Sequence, residues 1–531
     1  MVRRYPPGPN TCAGGGGVPP AHATIRRSTV ALTSLWEDRR PRNHASARPL
    51  SVSGRAWDVV VVGAGLTGLT TALLLARAGL EVLVLESYGV GSGTTGRSTA
   101  KLSLLQGTHL SKLAGRHTED VVEQYVTGNR EALAWLLRYC AEHEVAVQRR
   151  TSYTYATTER GEHAARAEHR AARDAGLEVR WESSTDLPFR TRGAVALEDQ
   201  AQLDPLELVD ALAADVRRHG GTIAEGTPVR SVSGRGPVRV RIDDAEVEAD
   251  RVVLATNMPI LDRGGFFGRA VPARSYGLAF ATPERAVDGM YLSADSPGRS
   301  LRDAPAADGG DLLLVGGNGH TTGRTRSPRS RVADLQSWTA THFPDAEVTH
   351  TWSAQDYVTA SGLPYVGRLS PRRDDLLVAG GYSKWGMTNG VAAALALSSR
   401  ILRGHTPWAD VLDPWSRHAA RGLPDATLAN AEVGLELTRG WIRPVTGLTH
   451  RTDPVEGQGR VKIYRVGLPT AVSRVHGQVH RVSAVCPHLG GILRWNDAEL
   501  SWDCPLHGSR FGPAGELLEG PATCGLGSHE E

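Results

Sequence analysis

The chain has 531 residues, which is too long for one hydrophobic core and indicates two or three domains. Hydrophobic residues make up 40% of it and charged residues 22%, as in an ordinary globular protein. The net charge of +3 is too small to indicate a nucleic acid as a partner, and no apolar run is long enough to span a membrane.

Residues 1–55 are rich in Pro, Gly, Arg and Ser and show little periodicity, which predicts a disordered N-terminal arm. Residues 25–28 match a twin-arginine signal, but Glu37 and Asp38 interrupt the apolar stretch that follows, so we interpret the match as accidental. The five cysteines, few and odd in number, argue against a disulfide scaffold and suit a reducing compartment. We therefore expect a cytoplasmic protein.

A β-α-β unit follows the arm. Residues 58–62 are an aspartate and four valines, typical of a buried parallel strand, and residues 81–86 predict a second strand. Residues 69–78 predict a helix that ends at Gly79. Between the first strand and this helix, residues 63–68 (G-A-G-L-T-G) fit the G-x-G-x-x-G pattern of dinucleotide-binding proteins.

Each glycine of the motif has a separate task. Gly63 permits the tight turn, Gly65 lets a pyrophosphate approach the backbone, and Gly68 lets the helix and strand pack closely. Glu86, 18 residues past Gly68, would accept hydrogen bonds from the adenosine ribose. The helix N-terminus attracts phosphate through its free N–H groups. A glycine-rich turn without a ligand is the alternative, and the flanking strand and helix argue against it.

The rest of the chain alternates helical and strand patterns before it changes character near residue 415. Amphipathic or Ala-rich helices are predicted over 119–143, 205–219 and 389–402, and short apolar strands over 251–256, 312–315 and 376–379. The alternation predicts an α/β domain over residues 56–415 with an inserted, mainly β substrate region. Residues 416–448 are predicted to connect it to a small all-β domain over residues 449–523, where turn signals and short strands occur without a helix.

Two glycine-containing segments resemble the flavin-contacting segments of the D-amino-acid oxidase (DAO)-like FAD-dependent oxidoreductases. They are residues 93–101 (G-T-T-G-R-S-T-A-K) and residues 380–390 (G-G-Y-S-K-W-G-M-T-N-G), and the likeness extends from about Ser34 to Trp415. It implies an FAD-binding Rossmann-like domain, a choice that the glycine motif alone leaves open between FAD and NAD. Some relatives hold FAD covalently through His or Cys, and residues 93–101 contain neither, so we expect non-covalent FAD.

The motif and the resemblance together give the candidate residues of the flavin domain. Val229 is included for its backbone near the adenine, with a plain core valine as an equal alternative. On the substrate side, Tyr276, His320, Lys384 and Arg324 are candidates, and a structural role stays open for each. The residues expected to contact FAD are Gly63, Gly65, Gly68, Glu86, Arg97, Ser98, Thr99, Val229, Gly381, Gly386, Met387 and Thr388.

The C-terminal domain contains Cys486-Pro487-His488, then fifteen residues, then Cys504-Pro505-Leu506-His507. Two thiolates on one iron and two imidazoles on the other are the ligands of a Rieske [2Fe–2S] cluster. Zinc also accepts this set, but zinc sites usually pair Cys with Cys and His with His in each half, whereas each half here is mixed. The segment closely resembles Rieske domains, which implies Cys486, His488, Cys504 and His507 as cluster ligands.

Departures from the respiratory Rieske proteins predict a cluster of low potential. Those proteins carry an extra Cys in each loop, joined as a disulfide, where this chain has Gly491 and Leu506. Ser509 is present near the cluster, but Phe511 replaces a tyrosine that often donates a hydrogen bond there. Fewer hydrogen bonds to sulfur lower the reduction potential.

Both cofactors together predict an FAD-dependent oxidoreductase with an electron relay between flavin and cluster. The resemblance implies an amine or amino acid as the substrate, oxidised at its C–N bond, with an external one-electron acceptor or donor as partner. A non-enzymatic redox sensor or electron-transfer protein is the alternative. A ferredoxin reductase would need a second dinucleotide motif, and a Rieske oxygenase would need an iron site of two His and a carboxylate; neither stands out in the sequence.

Overall fold

Parallel strands around the glycine motif form the first sheet. The computed structural model describes residues 30–40, 56–243, 245–261, 263–307, 309–446, 452–463 and 469–527. Within these ranges the sheet has eight strands, of which six lie in the order Tyr365–Ser370, Arg373–Gly380, Glu246–Leu254, Ala56–Val62, Val82–Leu85 and Thr222–Ala224. The other two, Val238–Arg241 and Ser231–Gly234, extend from Glu246–Leu254.

Helices cover the faces of this sheet, as parallel strands require. The helix after the glycine motif begins at Leu66, three residues before the predicted start, because the last three residues of the motif, Leu66, Thr67 and Gly68, already belong to its first turn. None of the described helices combines the length and apolar character needed to cross a membrane. The α-helices in the described ranges are Leu35–Arg39, Leu66–Arg77, His109–Ala114, Glu119–Glu142, Glu159–Asp174, Pro205–Arg218, Pro328–His342, Gly386–Ile401, Arg417–Ala420 and Leu423–Thr446, with 3₁₀ turns at Thr95–Arg97, Phe266–Gly268 and Pro407–Leu412.

A second, mainly antiparallel sheet is built from the inserted region. Its strand Ala270–Ala281 lies between Asp311–Thr321 and Glu347–Thr359 and carries Tyr276 on its cavity side. In the described chain the sheet has nine strands, the others being Arg299–Pro305, Met290–Ser293, Val147–Tyr155, Ala194–Leu203, Lys101–Leu102 and Arg180–Glu182.

The C-terminal domain consists of two small antiparallel sheets. Residues 452–463 and 469–527 contain no helix, in agreement with the predicted all-β character. The predicted fold class, an FAD-binding α/β domain with a mainly β insertion and a small all-β domain, is confirmed. The strands are Gly459–Ile463, Pro469–Val475 and Gln478–Ser483 in one sheet, and Arg494–Asn496, Ser501–Asp503, Arg510–Phe511 and Leu517–Glu519 in the other.

The connecting segment is largely one helix, Leu423–Thr446, which touches both domains. Asn430 Nδ2 donates to the Gly268 carbonyl at 2.8 Å in the flavin domain. Trp441 Nε1 donates to the Gly490 carbonyl at 3.2 Å in the C-terminal domain. The helix therefore holds the two domains against each other as well as connecting them.

Part of the arm predicted to be disordered is folded. Residues 30–40 contain the helix Leu35–Arg39, with a capping box in which Ser34 and Glu37 satisfy each other's backbone N–H groups. Trp36 is only 1% exposed, and its indole Nε1 donates to the Ser98 carbonyl at 2.8 Å. The prediction of disorder is wrong for residues 30–40, because five helical residues show no periodicity and their order depends on this distant contact. The rest of the arm lies outside the described residues.

Candidate functional site: a flavin cavity beside an iron–sulfur site

One cavity of about 1050 Å³ extends from the glycine motif to the second sheet. Its volume is at the upper end for small-molecule sites, which suits a dinucleotide with room for a substrate. Many residues predicted from the sequence lie on its wall: Gly63, Gly65, Glu86, Arg97, Ser98, Thr99, Val229, Tyr276, Lys384, Gly386 and Met387. Val229 lies in the loop after the strand Thr222–Ala224 and not in the strand itself.

The glycine motif has the close contacts that a dinucleotide site requires. A Cβ atom on Gly68 would lie 1.9 Å from the Gly63 carbonyl oxygen, so only glycine lets the helix approach the turn. Gly63 has φ of +105°, a conformation open mainly to glycine. Gly68 does not line the cavity, so its task is packing, while the helix N-terminus at Gly65 faces the cavity and offers N–H groups to phosphate.

Glu86 closes one end of the cavity. Its Oε2 accepts from the Ala64 N–H at 2.7 Å and its Oε1 from the Tyr88 N–H at 3.0 Å. Burial raises the pKa of Glu86, and these N–H donors partly offset the rise. A carboxylate has about four lone-pair sites, so two backbone contacts leave capacity for ribose hydroxyls.

The segment that precedes the helix Gly386–Ile401 has an unusual backbone. Ser383 and Lys384 have φ of 53° and 73°, a left-handed conformation that non-glycine residues rarely adopt. The Ser383 N–H donates to the Tyr357 carbonyl at 3.1 Å, and the Lys384 N–H donates to the Asp356 carboxylate. Such strain persists where surrounding contacts hold it, often at functional sites.

Two further predicted residues of this region support the cavity from behind. A Cβ on Gly381 would lie 2.4 Å from the Thr359 methyl carbon, so only glycine fits at this position. Thr388 is buried and accepts from Gln106 Nε2 at 3.3 Å. Neither residue belongs to the cavity wall.

The substrate-side candidates occupy different places. Tyr276 lines the cavity, and its hydroxyl lies 3.0 Å from Nε2 of His320, which stands behind it and off the wall. Burial raises the pKa of Tyr276 and lowers the pKa of His320. Arg324 lies at the domain boundary, where it donates to the Pro505 carbonyl at 2.9 Å and pairs with Glu432 at 2.8 Å. The structure does not bring Arg324 or His320 to the cavity surface, and their catalytic roles stay predictions.

Lys384 projects into the cavity. Its Nζ donates to the Ser275 hydroxyl at 2.7 Å, and a Cβ on Gly319 would lie 2.5 Å from the same nitrogen. Glycine at 319 therefore leaves the space that the ammonium group fills. Desolvation inside the cavity lowers the pKa of Lys384, and the nearby Asp356 carboxylate offsets part of this by raising it.

Lys101 is a further cationic residue on the cavity wall to which the sequence analysis assigned no role. Its side chain is 8% exposed, and Nζ donates to the Tyr291 carbonyl at 2.8 Å and the Ser300 hydroxyl at 2.7 Å. Burial lowers the pKa of Lys101 well below its ordinary value, and the nearby Arg302 lowers it further. The only sequence signal is a lysine inside an otherwise small and apolar stretch.

The four predicted cluster ligands come together on two facing loops. Cys486 and Cys504 are both buried, and the His488 and His507 rings lie 5.2 Å apart between centroids. In the described chain no three His, Cys, Asp or Glu side chains converge on one point, as a single zinc or iron would require. A cysteine pair and a histidine pair fit the two irons of a [2Fe–2S] cluster.

The loops differ from those of disulfide-bearing Rieske proteins in a way that the structure explains. A Cβ on Gly491 would lie 2.7 Å from the Leu506 side chain, so these two positions are neighbours. The Leu506 side chain packs against Gly491 in the place that the disulfide occupies in those proteins. Ser509 is buried, and its hydroxyl accepts from the Ala522 N–H at 3.0 Å; Phe511 is fully buried without a hydroxyl to offer.

The cluster loops rest directly on the wall of the flavin cavity. The Tyr357 hydroxyl, on the cavity side, donates to the His507 carbonyl at 3.1 Å, and Gln355 Nε2 donates to the Gly508 carbonyl at 2.9 Å. A Cβ on Gly508 would lie 2.6 Å from Pro272, so glycine allows this close approach. The Phe267 ring of the flavin domain lies 5.2 Å from the His507 ring between centroids.

A buried ion network joins the two domains nearby. Arg274 of the second sheet has no exposed side-chain surface and pairs with Glu499 at 3.2 Å and Glu519 at 2.9 Å in the C-terminal domain. Arg510 pairs with Glu499 at 2.9 Å and Asp503 at 3.0 Å. Charges this deeply buried must be paired, so the network favours one orientation of the domains.

Fold and site together define an FAD-dependent oxidoreductase that carries a Rieske [2Fe–2S] domain. The sequence model of the DAO family, FAD dependent oxidoreductases, matches residues 58–400, and that of the Rieske [2Fe-2S] domain matches residues 448–530. The chain belongs to the DAO family of FAD-dependent oxidoreductases, as the sequence resemblance predicted. The cofactors of these two families are FAD and a [2Fe–2S] cluster.

Known proteins share either the whole arrangement or the flavin domain. The chain is 30% identical over 470 residues to the putative Rieske 2Fe-2S iron-sulfur protein YhfW of Bacillus subtilis, covering 88% of this chain and 92% of that protein. It is 24% identical to the gamma-glutamylputrescine oxidoreductase of Escherichia coli, over 65% of this chain and 84% of that one. The fold resembles glycine oxidase from Geobacillus kaustophilus, with a TM-score of 0.57 and 20% identity over 68% of this chain and 99% of that one.

Proposed function

We propose that the chain oxidises the C–N bond of an amine or amino acid and that electrons pass one at a time between the flavin and the Rieske cluster. FAD accepts a hydride from substrates of this class, and the cluster carries single electrons. The observation that supports the relay is the hydrogen bond from Tyr357, on the cavity wall, to the backbone carbonyl of the ligand His507. One side chain thus touches both sites.

The chemistry balances without any further oxidant at the substrate step. The substrate C–H gives a hydride to the flavin and the nitrogen loses a proton, which leaves an imine that water hydrolyses to a carbonyl and an amine or ammonia. The two electrons then leave through the cluster, one at a time, to an external acceptor. His488 is half-buried and Leu489 is 42% exposed, so this side of the cluster loop is accessible to such a partner.

Lys101 favours an amino acid over a polyamine as the substrate. Among the described residues, the Lys101 amine donates to a carbonyl and a hydroxyl, and burial beside these uncharged partners lowers its pKa and disfavours the ammonium form. A substrate carboxylate in the cavity would stabilise the ammonium form. Similar proteins include a glycine oxidase and a gamma-glutamylputrescine oxidoreductase, and both of the named compounds carry a carboxylate.

The location we propose is the cytoplasm. In the described chain Cys140 is buried and Cys524 is exposed, and neither forms a disulfide. Unpaired cysteines of this kind suit a reducing compartment.

The test of the activity is anaerobic mixing of the purified holoprotein with a panel of amino acids and of the amines that match them without the carboxylate. Flavin absorbance and the EPR signal of the reduced cluster are followed together. We expect an amino acid to bleach the flavin and then produce the cluster signal. Bleaching without a cluster signal would rule out the relay, and no response to any amine or amino acid would rule out the substrate class and favour a redox sensor.

The role of Lys101 is tested with Lys101→Met, which keeps the length of the side chain in a buried place. We expect KM for the amino acid to rise at least tenfold while KM for the matched amine changes little. An equal change for both compounds would show that Lys101 does not bind the carboxylate.

A further inference from the structure

A short stretch of the Rieske domain lies along the flavin cavity. Residues 517–523, here termed the Rieske strap, follow the last cluster loop and contain the strand Leu517–Glu519. Six of the seven strap residues contribute to the cavity wall, beside Glu86, Tyr88 and Val229 at the end where the sequence motif places the adenosine of FAD. These are Leu517, Leu518, Glu519, Gly520, Ala522 and Thr523.

Hydrogen bonds from the flavin domain fix the strap at several points. The Tyr88 hydroxyl donates to the Leu517 carbonyl, and an Arg230 N–H donates to the Thr523 carbonyl. Tyr88 follows Glu86 by two residues, and Arg230 follows Val229, so both donors belong to the adenosine end of the site. Backbone carbonyls of the Rieske domain are therefore tied to the residues predicted to bind the nucleotide.

The middle of the strap is fixed by charge. Glu519 accepts from Arg274 at 2.9 Å, and Arg274 has no exposed side-chain surface. The Tyr357 hydroxyl lies 3.3 Å from the Gly520 carbonyl, the same hydroxyl that contacts His507. The strap thus shares its supports with the cluster loop.

We propose that the Rieske strap completes the FAD site at its adenosine end, so that FAD binding and docking of the Rieske domain stabilise each other. A cofactor that contacts both domains binds the docked state more tightly than the undocked state. By linkage, docking must then strengthen FAD binding by the same free energy with which FAD favours docking, and we expect the stronger binding to appear as slower FAD release. The Rieske domain acts in this way as a binding element for the dinucleotide as well as an electron carrier.

The proposal is tested by loosening the strap without touching the cavity wall. Arg274 does not line the cavity, so Arg274→Met changes strap docking while the flavin domain's own wall residues stay in place. FAD release from the diluted holoprotein is followed by the fluorescence of free flavin, without substrate. We expect release at least tenfold faster than in the unchanged protein. Because no turnover is involved, the outcome is independent of the proposed amine oxidation.

Two further proteins make the result interpretable. Arg180→Met removes an exposed arginine that pairs with Glu182 and Glu198 away from the cavity, and FAD release should stay at the original rate. Glu499→Gln keeps the side-chain shape, removes a partner of Arg274, and should speed release as Arg274→Met does. If Arg274→Met fails to fold, Glu499→Gln alone decides the matter.

The reciprocal effect is measured by hydrogen exchange. We expect amides of residues 517–523 to exchange at least tenfold more slowly in the FAD-loaded protein than after FAD is stripped from it. Equal exchange in the two forms would overturn the proposal. The proposal would also be overturned if the strap amides of Glu499→Gln exchange faster while the variant releases FAD at the original rate.

Discussion

Removal of the Trp36 side chain tests whether the N-terminal helix belongs to the flavin site. The indole is 1% exposed, donates to the Ser98 carbonyl at 2.8 Å, and has the Arg302 guanidinium 5.4 Å from its ring. Replacement of a buried Trp by Ala costs about 3 to 5 kcal/mol. With a denaturant slope of about 3 kcal/mol per M in urea, the unfolding midpoint of the flavin domain should fall by about 1 to 2 M.

The assay is urea unfolding followed by circular dichroism, with FAD retention measured in parallel. Because residues 96–98 line or support the cavity, Trp36→Ala should also weaken FAD binding. Leu32→Ala is the matched control, since Leu32 lies in the same segment and is 71% exposed, so its loss should change the free energy of unfolding by less than about 0.5 kcal/mol. A midpoint for Trp36→Ala equal to that of the control would refute the packing of this helix.

Three further predictions concern the motif, the interface and the cluster. Gly68→Ala places a methyl group 1.9 Å from the Gly63 carbonyl oxygen, so the FAD content of the purified protein, measured by absorbance, should fall more than tenfold. A normal FAD content would contradict the packing role of this glycine. Burial alone would raise the pKa of Glu499, but the charges of Arg510 and Arg274 outweigh burial and lower the pKa to about 2. The contribution of Glu499 to docking is therefore fully present above the usual glutamate pKa of 4.5 and is lost as the pH falls toward 2. The protection of interface amides, expressed relative to their intrinsic exchange rate at each pH, should fall in that pH range in the unchanged protein and not in Glu499→Gln. Ser509→Ala removes a buried hydroxyl from the second cluster loop, so an EPR redox titration should show a lower midpoint potential, and an unchanged midpoint would exclude a hydrogen bond from Ser509 to a cluster sulfur.

The features that the sequence predicted well depend on contacts between near neighbours in the chain. In the glycine motif, the structure shows why Gly63 is needed for the turn, through its positive φ, and why Gly68 is needed for close packing of the helix on that turn. The cluster ligands occur in two short loops that each pair a Cys with a His, and this mixed pairing favours a Rieske cluster over zinc. Helix bounds follow from local periodicity and differ from the observed bounds by a few residues.

The features that were missed depend on residues far apart in the sequence. Trp36 is ordered by a carbonyl 62 residues away, and nothing in its own neighbourhood predicts that contact. Arg274 pairs with Glu499 and Glu519 across 225 and 245 residues, so the buried network could not be predicted in a chain with many arginines. The cavity role of Lys101 likewise depends on Ser300 and Tyr291, which only the folded sheet brings beside it.

The central claim is that flavin and cluster exchange electrons within one chain, through the contact of Tyr357 with His507. The most direct measurement is flash photoreduction of the flavin in the anaerobic holoprotein, with the cluster followed by its visible absorbance at several protein concentrations. We expect cluster reduction to be first order, with a rate constant that does not change with protein concentration and that falls in Tyr357→Phe. A rate proportional to protein concentration would show that electrons pass between separate molecules and would contradict the account.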